Sequence, residues 1–230
     1  VDWWLDFRRD LWTSQQPENR SPILWGVGML FVILRRLSLL EYPNHFFFAP
    51  GRIPAWFVDG YILVWLAGLG AVSFALDTEA YRAADFSLGW TLLAWFCALQ
   101  VVQVNVHRNM WRRITHRDGG LPRIYGRNLV NALIGFATMN WLFGLVYWLE
   151  RSRLDPEPTS VLHAICSAFI SGTTLGYSDI HPAAGDPLTG GPAPLMLGIA
   201  ISHTLLSLVM IAVAIGATVT TIEPKGQLAD

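Results

Sequence analysis

Hydrophobic positions in this chain come in long unbroken blocks, with neither the alternation of strands nor the half-polar stripe of surface helices. Phe57 to Leu76 is apolar after Asp59, and Phe86 to Val106 contains no charged residue. Asn128 to Leu149 carries only amide and hydroxyl polar groups, and Leu195 to Ile222 is the longest block and free of charge. A hydrocarbon core about 30 Å thick needs about 20 such helical residues. The pattern predicts an all-α membrane protein with four transmembrane helices.

The first 56 residues fit this pattern less simply. Ile23 to Leu34 is apolar but ends at Arg35-Arg36, and Trp3 to Trp12 mixes Trp with Arg and Asp. Such a mixture suits a helix lying in the membrane interface. Phe46-Phe47-Phe48, followed by Pro50 and Pro54, suits an aromatic anchor and a turn. Residues 1–56 are therefore expected to be interfacial or partly inserted N-terminal helices, with a fifth span within residues 22–40 as the alternative.

Loop charges orient the spans. Arg108, Arg112, Arg113, Arg117, Arg123 and Arg127 lie between the second and third, against the single acid Asp118. The positive-inside rule makes this loop cytoplasmic. Asp77, Glu79 and Asp85 against Arg82 suit the outer face for the preceding loop. Four spans then leave both termini cytoplasmic, in an integral protein expected in the plasma (inner) membrane. The arginines read most simply as topogenic; the sharper reading is an anionic-lipid contact at Arg112, Arg113 and Arg117. Residues 57–127 form a two-helix membrane region with its basic loop, and residues 223–230 a cytoplasmic linker.

Composition narrows the function classes. Of 230 residues, 53% are hydrophobic and 14% charged, mean hydropathy is +0.38 and net charge is -1. Soluble domains carry about 25% charge, and a polyanion such as nucleic acid would meet no basic face here. Cys97 and Cys166 both lie in apolar stretches, which excludes a disulfide-stapled secreted domain. No convergent polar groups in the spans point to an enzyme. Nor does any span repeat Arg or Lys at every third position, as a voltage-sensing ladder does.

The most informative segment joins the last two spans. Thr159-Ser160 offers an N-cap, and Val161 to Gly172 is an apolar run too short to cross a bilayer. With antiparallel neighbours, both its flanks lie on one side, which makes it a re-entrant helix. Thr173-Thr174-Leu175-Gly176-Tyr177-Ser178-Asp179 follows directly. This resembles the selectivity filter of the tetrameric potassium channel family, usually T-T-V-G-Y-G-D. Five of seven positions are identical; Leu175 for Val is conservative and Ser178 for Gly is the main departure.

The resemblance covers residues 128–222. It implies an outer helix 128–149, a pore helix 160–172, an extended filter 173–179 and an inner helix 195–222. It further implies a homotetramer that conducts K⁺, alone or with other monovalent cations, passively through rings of backbone carbonyls that replace the ion's water. Thr174, Leu175, Gly176 and Tyr177 would supply the carbonyls that bind K⁺, with Ser178 at the outermost site. A left-handed backbone at Ser178 would cost about 1–2 kcal/mol per subunit, so selectivity for K⁺ is expected to be relaxed. Thr173 and Asp179 would support the filter. The family's usual Trp pair is replaced by Cys166 and Ser167, leaving Ser167 and Ser171 as partners for Tyr177 and Asp179. On the inner helix Ser202, His203 and Gly216 are candidates for cavity or gate. His203 reads either as a titratable pore group or as a histidine hydrogen-bonded between helices. No organic cofactor is expected. The rival function is a non-conducting, channel-like subunit that senses or scaffolds.

Overall fold

The computed structural model describes residues 55–78, 88–106, 125–173, 179–183 and 194–222. It is mostly helical: α1 (Ala55–Leu76), α2 (Leu88–Val106), α3 (Tyr125–Leu149), α4 (Val161–Gly172) and α5 (Pro194–Ile222). A 3₁₀ turn at Arg151–Arg153 follows α3, and β1 (Leu154–Asp155) pairs antiparallel with β2 (His181–Pro182). Four of the helices, all but α4, are long and apolar enough to cross a membrane. The chain is a membrane-embedded protein. Expectations for residues 1–54, the basic loop with Arg112, Arg113 and Arg117, and the linker 223–230 lie outside the described residues.

The helices start within a few residues of the expected positions. α3 begins at Tyr125 rather than Asn128, taking Gly126 into its first turn. α5 begins on Pro194, whose fixed φ and missing N–H suit a first helical turn.

α3 is the central element. Met139, Phe143 and Val146 are fully buried, and Trp148 nearly so, because α2, α4 and α5 all pack on it. α1 is peripheral and leaves Leu63, Val64 and Phe74 uncovered, as a helix facing lipid would. It is tied to the centre by Trp141 Nε1, which donates to Ser73 Oγ at 2.8 Å.

One end of the bundle gathers several polar contacts. Thr91 Oγ1 donates to Glu150 Oε1 at 2.6 Å, joining the start of α2 to the end of α3, and Arg153 Nη1 meets Glu150 Oε2 at 2.8 Å. Asp77 Oδ1, just past α1, accepts from Val161 N at 3.4 Å. Ala183 N donates to Arg153 O at 2.9 Å beside the β1–β2 pair. The chain therefore enters α4 from this end and stands at this end again by His181.

Candidate functional site

α4 is shaped by its two termini. Ser160 is extended and accepts from His163 N at 3.1 Å, an N-cap at the expected place. At the other end Thr173 N–H closes on Phe169 O and Ser171 O, while Thr173 Oγ1 donates to Ile170 O at 3.0 Å. Between them Val161, Ala164, Ile165 and Ala168 are buried, and Ile165 lies against Gly144 of α3. A Cβ on Gly144 would come 2.5 Å from Ile165 Cα, so the close approach of the two helices requires glycine there.

The depth of α4 follows from its last residue. Gly172 lies against Asn140 of α3 and Ser207 of α5, where a Cβ would overlap Asn140 Oδ1 and stand 3.0 Å from Ser207 Oγ. Asn140 is ten residues from Glu150, about 15 Å of helix and half of a hydrocarbon core about 30 Å thick. α4 thus runs from the Glu150 end to the level of Asn140, ten residues back along α3, and stops.

A chain of buried polar side chains surrounds that stop. Asn140 Nδ2 donates to Phe136 O at 2.8 Å, which leaves Oδ1 to accept from His203 Nε2 at 3.0 Å. The second ring nitrogen, His203 Nδ1, accepts the Tyr147 hydroxyl at 2.8 Å. Phe143 stacks on the imidazole with ring centroids 4.3 Å apart. His203 is 1% exposed, Asn140 0% and Ser207 0%. Ser207 Oγ has no hydrogen-bond partner among the described residues.

The expected site residues are distributed unevenly over this geometry. Thr174, Leu175, Gly176, Tyr177 and Ser178 lie outside the described residues. Thr173 caps α4 and is exposed. Asp179 is exposed near the start of α4, with its Oδ2 3.4 Å from His163 Nε2. Because Thr159 N–H donates to His163 Nδ1 at 3.3 Å, the proton sits on Nε2, facing the carboxylate. This corrects the expected pairing of Asp179 with Ser167 or Ser171. Those serines lie one and two turns further along α4, about 6 and 12 Å deeper, whereas Asp179 stands at the first turn.

Of the α5 candidates, His203 is hydrogen-bonded between helices, the second of its two readings. Ser202 accepts from Trp95 Nε1 at 3.0 Å and donates to Ile199 O at 2.8 Å, so it too faces the interior of this chain. The uncovered face of α5 carries Ile201, Thr204, Leu205, Leu208 and Ile215, together with Gly216. The expectation that no polar groups converge within the spans is also corrected. Tyr147, Asn140, His203 and Ser207 come together, although up to 67 residues separate them along the chain. His163, Asn140 and Tyr147 were not singled out by sequence. Lone polar residues inside apolar spans were the available signal for Asn140; no local pattern marks His163.

Among the described residues no group of His, Cys, Asp and Glu could hold a metal ion, and Cys97 and Cys166 are free thiols. No family model, curated protein or solved structure matches the chain.

Proposed function

We propose that the chain is a subunit of a homotetrameric potassium-type channel, in which residues 128–222 form the pore module and the segment from Thr174 to Ser178 coordinates K⁺ through its carbonyls. The observation that carries this reading is the pair of anchors on either side of that segment. Thr173 ends α4 at mid-depth, and Asp179 is back beside His163 in the first turn of α4. The reading requires an extended filter between them, and the anchors are compatible with one. From His163 to Thr173 is about 15 Å of helix, and six residues at about 3.3 Å each reach about 20 Å. A short helix that stops halfway, followed by an extended return, suits carbonyls aimed at one axis. A single strand encloses nothing, so oligomerisation follows from the mechanism, and the resemblance to the potassium channel family gives four copies. The C-terminal end of α4 carries the negative end of its peptide dipoles, which favours a cation at mid-depth.

In this reading the Glu150 end faces outward and the basic loop faces the cytoplasm, where Arg112, Arg113 and Arg117 would meet anionic lipid. The test is ion flux through the purified full chain in liposomes. Flux of K⁺ exceeding that of Na⁺ supports the reading, and no flux from a folded tetramer favours the non-conducting subunit instead. Ser178→Gly, which removes the Cβ from a position the family fills with glycine, is expected to raise the K⁺/Na⁺ permeability ratio, read from reversal potentials in planar bilayers. An unchanged ratio counts against Ser178 as a filter residue.

A further inference from the structure

The buried polar chain at the end of α4 is directional along its whole length. Asn140 Nδ2 is committed to Phe136 O, so Oδ1 must accept, and the His203 proton therefore sits on Nε2. His203 Nδ1 is then a bare acceptor for the Tyr147 hydroxyl. The order Tyr147 to His203 to Asn140 to Phe136 O leaves no donor facing a donor. Phe143, stacked on one face of the imidazole, restricts its rotation. The amide oxygen that receives the His203 proton also abuts Gly172, with no side chain between. Polar groups in a membrane interior are costly, and apolar side chains of similar volume would pack α3 on α5 at least as well. What a directional chain adds is a fixed rotation and axial register between α5 and α3, against which Gly172 seats the last turn of α4.

We propose that His203 and Asn140 are positioning residues that lock α5 to α3 where Gly172 seats the last turn of α4, so that a displacement of α5 is transmitted through Asn140 to Thr173 and changes ion discrimination. This rests on the conduction reading, since its consequence is read at the filter. It differs from a packing role in one respect. Loss of packing lowers the amount of assembled protein and the total flux, whereas loss of register changes the ratio in which ions pass.

The test compares reversal potentials and tetramer yield for variants of the full chain in planar bilayers, alongside the ¹⁵N NMR signature of the His203 ring. His203→Leu and Asn140→Leu are expected to lower the K⁺/Na⁺ permeability ratio about 5-fold, the equivalent of one hydrogen bond. His203→Gln, which keeps a donor and an acceptor, should recover most of it. Ser73→Ala breaks the α1–α3 hydrogen bond to Trp141 and should leave the ratio as in the wild type. The wild-type ring should show a protonated Nε2 and a bare Nδ1. Where His203→Leu does not assemble, Tyr147→Phe deletes one hydroxyl and carries the test, with a fall in the ratio expected. Variants that assemble and conduct less but keep the wild-type ratio overturn the positioning role and leave the conduction reading standing. A wild-type tetramer without flux overturns both.

Discussion

Two groups of buried polar side chains lie at similar depth on two faces of α3, and they are built differently. Toward α5, Tyr147, His203 and Asn140 form a closed sequence of hydrogen bonds, beside which Ser207 Oγ alone is unpartnered among the described residues. Toward α2, Gln100 and Gln103 are 8% and 4% exposed, yet Gln100 bonds through neither amide atom and Gln103 Oε1 is also unpartnered among the described residues. Thr91 opposite Glu150 and Asn105 opposite Gly135 make α2 antiparallel to α3, with Gln100 at about the level of Asn140. Burial depth is therefore not what separates the two groups. A closed chain specifies one arrangement of the helices that share it. Unpartnered amides carry the desolvation cost without specifying anything. The specified arrangement coincides with the module that holds α4, and the unspecified one lies between that module and the preceding helices.

The largest expected effect comes from prising α4 off α3, which would open the closed chain from outside. At Gly144 a Cβ meets the Ile165 backbone, so no rotamer change relieves it. Gly144→Ala is expected to cost about 3 kcal/mol, the upper part of the usual range for overpacking. The measurement is thermal unfolding of the protein in detergent. Gly198→Ala is the control: its Cβ meets nothing within 4 Å, and an added methyl in a helix interior should stabilise by roughly 0.5–1 kcal/mol. Equal melting temperatures for the two variants would show that the close approach at Gly144 is not what seats α4.

Cutting the closed chain at its middle should have the next largest effect. Asn140→Leu leaves the His203 Nε2 proton buried without an acceptor and crowds Gly172, and is expected to destabilise by about 1–3 kcal/mol. The double variant Asn140→Leu with Tyr147→Phe should destabilise by less than the sum of the singles, because both act through one imidazole. Additive effects in the unfolding measurement would mean that the three side chains do not form one unit.

How much of this was legible beforehand depended on the range of the interactions. The spans were readable because a membrane helix is a local property: about 20 apolar residues in a row suffice, whatever surrounds them. α4 was readable for the same reason, with Ser160 as its cap and Gly172 as its last residue. The partner of Asp179 was not, since His163 lies sixteen residues away and is brought near only by the depth and direction of α4. Nor was the convergence of Asn140, Tyr147 and His203, for helix rotation decides which polar residues of separate spans face each other. Nor was the close approach of α4 to α3, which rests on Gly144 and Gly172, whose missing side chains admit Ile165 and Asn140. In the sequence Gly144 is only one of 20 glycines, and nothing local distinguishes it.

The smallest expected effect is the sharpest test of the comparison. If Gln100 and Gln103 are buried without partners, replacing them by apolar side chains of similar length removes a desolvation cost and breaks no hydrogen bond. Gln100→Leu and Gln103→Met should then be neutral, or stabilising by up to about 1 kcal/mol, well below what a fully unpaired group costs elsewhere. The size is modest because interhelical polar contacts in membranes contribute only about 0.6 kcal/mol on average, their partners in the unfolded state being nearly as good. The sign is what matters. A loss of stability on replacing Gln100 would mean that its amide is satisfied in the assembled protein, by water or by another copy of the chain. Both groups of polar residues would then be closed, and the contrast between the two sides of α3 would disappear.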